Sequence, residues 1–179
     1  MDAAKELGIN IPTLCHLKDL NEMGACRVCL VEIEGMRTLS AACVTQAAPG
    51  MVVHTNTPRV QRARKINVEL LLGDHNYNCP SCIRNLKCEL QDVAQKVGIR
   101  EIRFTRMKSK YHQDRSTPAL VRDPEKCILC RRCVSVCEKI QTVQAIVPLE
   151  RGMKTVIGSP FHDSLADSPC IQCGQCVLV

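Results

Sequence analysis

The stretch Cys127-Ile128-Leu129-Cys130-Arg131-Arg132-Cys133-Val134-Ser135-Val136-Cys137 decides the fold of the C-terminal part of this chain. Its first three cysteines are separated by two residues each, and the fourth follows after three more. Gaps of two residues let one tight loop wrap three thiolates around one face of a 4Fe–4S cube. The fourth cysteine starts a helix that leads away from that cube, so in paired motifs it ligates the other cluster.

The first part of this motif recurs near the end of the chain as Cys170, Cys173 and Cys176. Paired motifs with these gaps are typical of bacterial ferredoxins. We predict one 4Fe–4S site with four ligands, namely Cys137, Cys170, Cys173 and Cys176. We predict a second 4Fe–4S site from Cys127, Cys130 and Cys133, whose fourth thiolate would stand at position 180, so the chain is expected to end one residue before that ligand. Structural zinc sites usually pair two Cys-x2-Cys knuckles, which these triplets do not match.

An earlier group of cysteines predicts a 2Fe–2S site with the ligands Cys15, Cys26, Cys29 and Cys43. The stretch Gly24–Cys29 is typical of a tight loop whose backbone can approach a cluster closely. A predicted hairpin, with its turn at Glu34-Gly35, would bring Cys43 back towards Cys26 and Cys29. On these residues alone, a zinc site with four cysteines remains an alternative.

Between these groups lies the pattern His-x3-Cys-x2-Cys-x5-Cys, which consists of His75, Cys79, Cys82 and Cys88. Thr57-Pro58 predicts the start of a helix and Gly73 its end. His75 follows that helix end closely enough to act as a ligand beside the three thiolates. A neutral imidazole in place of a thiolate makes a cluster less negative and raises its reduction potential. We predict a 4Fe–4S site with one histidine and three cysteine ligands.

The composition supports metal clusters as the main source of order. The chain has fourteen Cys, two Tyr, two Phe and no Trp, so it lacks the aromatic side chains that dominate most cores. No apolar run approaches the roughly 20 residues of a membrane span. The N-terminus has no basic region followed by an apolar stretch, so we expect no export signal and a cytoplasmic location, where clustered cysteines are usually ligands rather than disulfides.

The net charge of +6 would ordinarily suggest a nucleic-acid partner. That charge counts every thiol as neutral, whereas metal binding deprotonates thiols. Four thiolate-ligated clusters would contribute a net charge of roughly −5 to −7. We therefore expect no nucleic-acid partner.

The chain is predicted to be an α+β protein of four segments. Residues 1–56 form a 2Fe–2S domain, 57–98 a small helical 4Fe–4S domain and 120–179 a two-cluster ferredoxin-like domain. Residues 99–119 are a basic linker, and one strand is expected between residues 99 and 126. Other predicted elements are a helix from about Cys88 to Val97, a helix after Cys133 and two short strands near residues 145–147 and 155–157.

This order of clusters resembles the N-terminal half of the multi-cluster iron-iron hydrogenases, above all the large subunit of the NAD(P)-linked multimeric type. The resemblance covers essentially the whole chain. It rests on the stretches Ile11–Cys15, Cys26–Glu32, Glu69–Leu72, Cys133–Cys137, Lys139–Ile146 and Cys173–Cys176.

The resemblance implies that the first domain is a β-grasp fold without its first strands and that a catalytic domain would follow position 179. Both ends are then expected to be cut, and the chain is a fragment of an oxidoreductase that carries relay residues but no catalytic ones. The implied partners are a flavin- and NAD(P)-binding subunit and a small 2Fe–2S subunit, or soluble ferredoxin.

The sequence thus predicts an electron-transfer arm that passes single electrons between such partners and a hydrogen-activating site. An alternative is the same arm of an NAD-dependent formate dehydrogenase or of a complex I-like NADH dehydrogenase. An alternative of another class is a zinc-binding structural or nucleic-acid-binding module.

Overall fold

A computed structural model describes residues 1–104 and 111–179. Within them the chain forms two compact units. The first unit contains residues 1–16, 22–73 and 77–104, and the second contains 17–21, 74–76 and 111–179. The predicted division into four segments stays a prediction. Three basic residues of the predicted linker, Arg106, Lys108 and Lys110, lie outside the described residues.

The first unit begins with helix α1 (Asp2–Glu6), followed by a three-stranded antiparallel sheet. Strand β1 (Leu30–Ile33) lies in the centre, between β2 (Ser40–Ala41) and β3 (Val53–His54). Leu30 pairs with Ala41 and Glu32 pairs with His54. The predicted hairpin is confirmed. Buried residues of the hairpin and of the segments next to it form one hydrophobic core, which consists of Ile11, Cys29, Leu30, Val31, Ile33, Ala41, Ala42 and Cys43.

Two helices complete the first unit. Helix α2 (Pro58–Gly73) starts where predicted, because the Thr57 hydroxyl accepts a hydrogen bond of 3.3 Å from the Val60 N–H. Helix α3 (Glu89–Lys96) agrees with the helix predicted after Cys88. The buried residues of α2 include Val60, Arg64 and Val68, which are spaced by four and share one face.

The segment after α3 is attached to α2 through a buried carboxylate. Glu69, only 1% exposed, accepts hydrogen bonds from the Arg103 backbone N–H at 2.9 Å and from its Nε and Nη2 at 2.7 and 2.6 Å. These bonds, led by those from the guanidinium, lower the pKa of Glu69 to about 2. The carboxylate therefore stays charged although it is buried.

The second unit contains helix α4 (Arg132–Lys139), the antiparallel pair β4 (Val147–Leu149) and β5 (Val156–Gly158), and helix α5 (Gln175–Leu178). Helix α4 and both strands agree with the prediction within two residues, although α4 starts before Cys133 rather than after it. Its start is set by Arg131, whose left-handed φ of 63° turns the chain into the helix. Ile146, Ile157 and Leu165 form a hydrophobic core cluster of this unit.

The strand predicted between residues 99 and 126 was wrong for the part that the structure describes. There the only bridge joins Asp114 to Arg122. The Asp114 carboxylate accepts hydrogen bonds from the Ser116 and Leu165 N–H groups, so side-chain bonding takes the place of a longer strand ladder. In the described part of the chain, no helix has the length and apolar character needed to cross a bilayer.

Candidate metal centres

The four cysteines of the predicted 2Fe–2S site are all buried in the first unit. Cys15 and Cys29 are inaccessible, and Cys26 and Cys43 are 5% and 7% exposed. The Sγ atoms of Cys29 and Cys43 are 3.3 Å apart, and the thiols of Cys15 and Cys26 share a hydrogen bond. Two thiol pairs thus lie together in one apolar interior.

The sheet and one tight loop bring these thiols together. Ala41 pairs with Leu30 across the hairpin, and the Ala42 N–H donates to the Cys29 carbonyl at 3.0 Å, so Cys43 returns beside Cys29. In the loop before β1, Gly24 and Arg27 have φ values of 62° and 54°. A left-handed backbone at these two positions folds the loop around its own thiols.

The thiols of Cys15, Cys26 and Cys29 differ in how readily they lose a proton. Hydrogen bonds lower the pKa of Cys26 to about 5: the bond from the Cys15 thiol has the largest effect, and backbone N–H groups of Val28, Leu14 and Cys15 also contribute. The same shared bond, followed by burial, raises the pKa of Cys15. Burial raises the pKa of Cys29 to about 12. Such buried thiols lose their protons together only when positive charge, such as that of bound iron, replaces them.

Helix α2 holds the same loop through two side chains that the sequence analysis did not single out. Arg64 Nη2 donates to the Leu30 carbonyl at 2.7 Å, and Asn67 Nδ2 donates to the Arg27 carbonyl at 2.7 Å. The sequence does contain a signal for Arg64, since it stands between Val60 and Val68 on an apolar helix face. Asn67 has no comparable signal.

The predicted His75 site is not brought together within one unit. Cys79 starts a single 3-10 turn (Cys79–Ser81), Cys82 follows that turn and Cys88 is the N-terminal cap of α3, all in the first unit. The three thiols are partly exposed. His75 belongs to the short segment Asp74–Asn76 of the second unit. The ligand set of one histidine and three cysteines stays a prediction.

The two ferredoxin-like loops of the second unit share one backbone conformation. Leu129 and Gln172, each directly before a central cysteine, have φ values of 56° and 55°. Arg131 and Gly174, each directly after it, have φ values of 63° and 75° and start a helix. The Leu129 N–H also donates to the Cys127 sulfur at 3.4 Å, the type of N–H···S bond expected in a cluster-binding loop.

The thiols of these loops lie near enough to influence one another's pKa. Burial, followed by the charges of Cys127 and Cys130, raises the pKa of Cys133 to about 12. Burial, followed by the charges of the other cysteines in its set, also raises the pKa of Cys176. A cavity in the second unit is lined by the complete four-cysteine set, Cys137, Cys170, Cys173 and Cys176.

A third residue missed by the sequence analysis, Asn21, supports one of these loops. Asn21 is inaccessible and belongs to the second unit with the rest of Leu17–Asn21. Its Nδ2 donates to the Cys130 carbonyl at 3.0 Å, and its Oδ1 accepts from the Ser135 hydroxyl at 2.7 Å. Lys139 Nζ donates to the neighbouring Leu20 carbonyl at 2.6 Å. The sequence carries no signal for this contact because the partners are far apart along the chain.

These arrangements fit iron–sulfur clusters. Within residues 1–104 and 111–179, no group of three or more His, Cys, Asp or Glu side chains converges closely enough for a single metal ion. A cluster spreads its ligands over several iron atoms, so its thiolates surround a space rather than meet at one point. The thiol-lined cavity, the left-handed loops and the N–H groups directed at sulfur have this character.

Three families of iron–sulfur domains match the chain in order. Residues 1–58 match the 2Fe-2S iron-sulfur cluster binding domain, and residues 64–103 match the NADH-ubiquinone oxidoreductase-G iron-sulfur binding region. Residues 120–146 match a 4Fe-4S binding domain. These matches confirm the prediction of 2Fe–2S and 4Fe–4S cofactors, whereas the number of clusters and their individual ligands stay predictions.

Two relatives align along nearly the whole chain. The NADP-reducing hydrogenase subunit HndD of Solidesulfovibrio fructosivorans is 42% identical over 184 residues, covering 100% of this chain and 32% of that protein. A subunit of the NADH-quinone oxidoreductase of Rhizobium meliloti (strain 1021) is 44% identical over 179 residues, covering 99% of this chain and 21% of that protein. The chain therefore spans about a third or less of the length of these relatives.

A solved structure agrees with the fold. A chain of the NAD+-reducing NiFe-hydrogenase in the H2-reduced state superposes with a TM-score of 0.86 at 31% sequence identity. The match covers 93% of this chain and 70% of that one.

Proposed function

Because the chain belongs to the family of NADH-G-like iron–sulfur subunits of NAD(P)-reducing hydrogenases and NADH-quinone oxidoreductases, we propose that it is the electron-transfer arm of such an enzyme. The observation that carries the proposal is the grouping of thiols in three places: the four buried thiols of the first unit and the mostly half-buried thiols of the two loops of the second. In these places backbone N–H groups are also directed at sulfur.

We assign the clusters from these groups. The 2Fe–2S cluster takes Cys15, Cys26, Cys29 and Cys43, and one 4Fe–4S cluster takes Cys137, Cys170, Cys173 and Cys176. Cys127, Cys130 and Cys133 supply three ligands of another 4Fe–4S cluster. For the remaining 4Fe–4S cluster, the sequence pattern supports the set His75, Cys79, Cys82 and Cys88.

When bound, the clusters accept and release single electrons. The residues of this chain hold the ligands at set positions and tune how readily each cluster is reduced. Burial of Cys15 and Cys29 excludes water, while N–H groups such as that of Leu129 stabilise negative charge on sulfur. Among the described residues we assign no acid, base or nucleophile to this function.

We propose that the parent enzyme is a hydrogenase, with the iron-iron type taken from the sequence resemblance. The names of the Solidesulfovibrio relative and of the matched structure describe reduction of NADP and NAD+ by hydrogenases. The corresponding partners are a flavin- and NAD(P)-binding subunit and a small 2Fe–2S subunit, or soluble ferredoxin, in the cytoplasm. The second candidate is a component of an NADH-quinone oxidoreductase, which the 44% identity to the Rhizobium relative favours.

Anaerobic purification tests the relay proposal. We expect iron and inorganic sulfide, visible charge-transfer absorption and separate paramagnetic signals of 2Fe–2S and 4Fe–4S clusters after reduction. Cys29→Ser should remove the 2Fe–2S signal and spare the 4Fe–4S signals. Cys173→Ser, its matched control, should spare the 2Fe–2S signal and remove the signal of one 4Fe–4S cluster. A colourless protein with stoichiometric zinc and no sulfide would refute the proposal. Genomic sequence around the coding region decides between the two candidate parents. Cysteine motifs of a hydrogen-activating cluster would support the hydrogenase, and their absence would support the NADH-quinone oxidoreductase.

A further inference from the structure

Arg64 is a buried cation in the middle of helix α2. Its side chain is 7% exposed. Nη2 donates to the Leu30 carbonyl at 2.7 Å, whereas Nε has no hydrogen-bond partner among the described residues. Burying a guanidinium is costly unless an opposite charge compensates it. The structure therefore has to supply a negative charge near Arg64.

No carboxylate within the described residues forms an ion pair with Arg64. Glu89 and Asp92 line the same cavity of about 630 Å³ as Arg64, but neither makes a salt bridge to it. Arg64 Nη2 binds the carbonyl of Leu30, the residue directly after Cys29, so a thiolate at Cys29 would favour the charged guanidinium. The guanidinium is thus bonded to the backbone directly beside a ligand of the proposed 2Fe–2S cluster.

We propose that Arg64 is a positioning residue that acts as the buried counter-ion of the 2Fe–2S cluster and raises its reduction potential. The inference rests on the proposed function, since it requires a cluster bound by Cys15, Cys26, Cys29 and Cys43. Arg64 also holds the backbone next to Cys29 through its bond to Leu30.

The physical reason is a difference in charge between the two redox states. Reduction adds one electron to the cluster without adding a proton, so the reduced cluster carries one more negative charge. A fixed cation stabilises this state more than the oxidised one. A unit charge within roughly 10 Å at an effective dielectric constant of about 20 changes such an equilibrium by more than tenfold. Water in the adjoining cavity screens part of this effect, so we expect about tenfold.

The test is a redox titration of the anaerobically purified holoprotein, in which dithionite supplies the electrons and paramagnetic resonance measures the reduced 2Fe–2S cluster. Arg64→Gln should lower the ratio of reduced to oxidised cluster about tenfold at a fixed potential, a shift of about 59 mV for a one-electron couple. Arg64→Lys keeps the charge and should stay within about threefold of the wild type. Arg62→Gln removes an exposed charge from the same helix and should have no effect.

The outcomes separate the inference from the proposed function. An unchanged potential in Arg64→Gln would overturn the inference. If Arg64→Gln does not hold the cluster, the result for Arg64→Lys is decisive. A cluster that is bound at the wild-type potential in Arg64→Lys supports the inference, whereas loss of the cluster from this variant overturns the inference. Equal shifts in Arg64→Gln and Arg64→Lys would also overturn it. Absence of a 2Fe–2S signal from the wild type would instead refute the proposed function.

Discussion

Replacing Asn21 with alanine should destabilise the second unit at the loop that holds Cys127, Cys130 and Cys133. The substitution removes the 3.0 Å bond to the Cys130 carbonyl and the 2.7 Å bond from the Ser135 hydroxyl. Asn21 is inaccessible, and Ser135 is only 4% exposed. Each buried hydrogen bond contributes about 1 kcal/mol, so the expected loss of stability is about 2 kcal/mol.

Loss of a cluster makes unfolding irreversible, so the quantity to measure is the unfolding rate of the holoprotein in urea. If these bonds are broken in the transition state, 2 kcal/mol corresponds to about thirtyfold faster unfolding of Asn21→Ala. Circular dichroism reports the unfolding, and visible absorbance reports the loss of the 4Fe–4S clusters, which should accelerate with it.

Two further variants check the reasoning. Asn56→Ala removes an exposed asparagine and should change stability by no more than about 0.5 kcal/mol. In a double-mutant cycle, Asn21→Ala and Ser135→Ala should cost less together than the sum of their separate effects, because they share one bond. Equal unfolding rates of Asn21→Ala and Asn56→Ala would show that the Asn21 contacts do not hold the loop.

Two more predictions concern the first unit. The Arg103 hydrogen bonds lower the pKa of Glu69 from 4.5 to about 2, so the stability that this carboxylate contributes is present above pH 4.5 and is lost as the pH falls towards 2. The ratio of the unfolding rate of Glu69→Gln to that of the wild type, measured in urea at several pH values, should therefore shrink over this window. The two rates are compared at the same pH, so acid effects on the clusters act on both proteins alike. Val68→Ala creates a cavity at an inaccessible position of α2 and should lower the stability of the protein by about 2 kcal/mol. Ile66→Ala, at a position 37% exposed on the same helix, should cost clearly less in the same denaturation assay, and equal losses would contradict the packing argument.

The linker shows where prediction from the sequence did not succeed. A strand was expected between residues 99 and 126, yet in the described part of this segment Asp114 forms only a single bridge with Arg122, and its carboxylate binds the N–H groups of Ser116 and Leu165. A short polar side chain offers the backbone a local alternative to strand pairing, and its partner Leu165 is distant in sequence. The placement of Leu17–Asn21 in the second unit was likewise not predicted, because it depends on contacts with Cys130 and Ser135.

The sequence by itself determined the features that act over a few residues. The gaps between Cys127, Cys130 and Cys133 specify a tight loop, and the turn at Glu34-Gly35 predicts the hairpin that returns Cys43 to Cys29. Such features depend on backbone geometry over a single turn or a pair of neighbouring strands, so spacing and residue type are sufficient to infer them.

Only the tertiary structure decided which residues surround these loops. Arg64 donates a hydrogen bond to the carbonyl of Leu30, 34 residues away in the sequence. Asn21 donates one to the carbonyl of Cys130, 109 residues away. Contacts over such distances depend on how helices and loops pack together, and the spacing of residues along the chain carries no record of that packing.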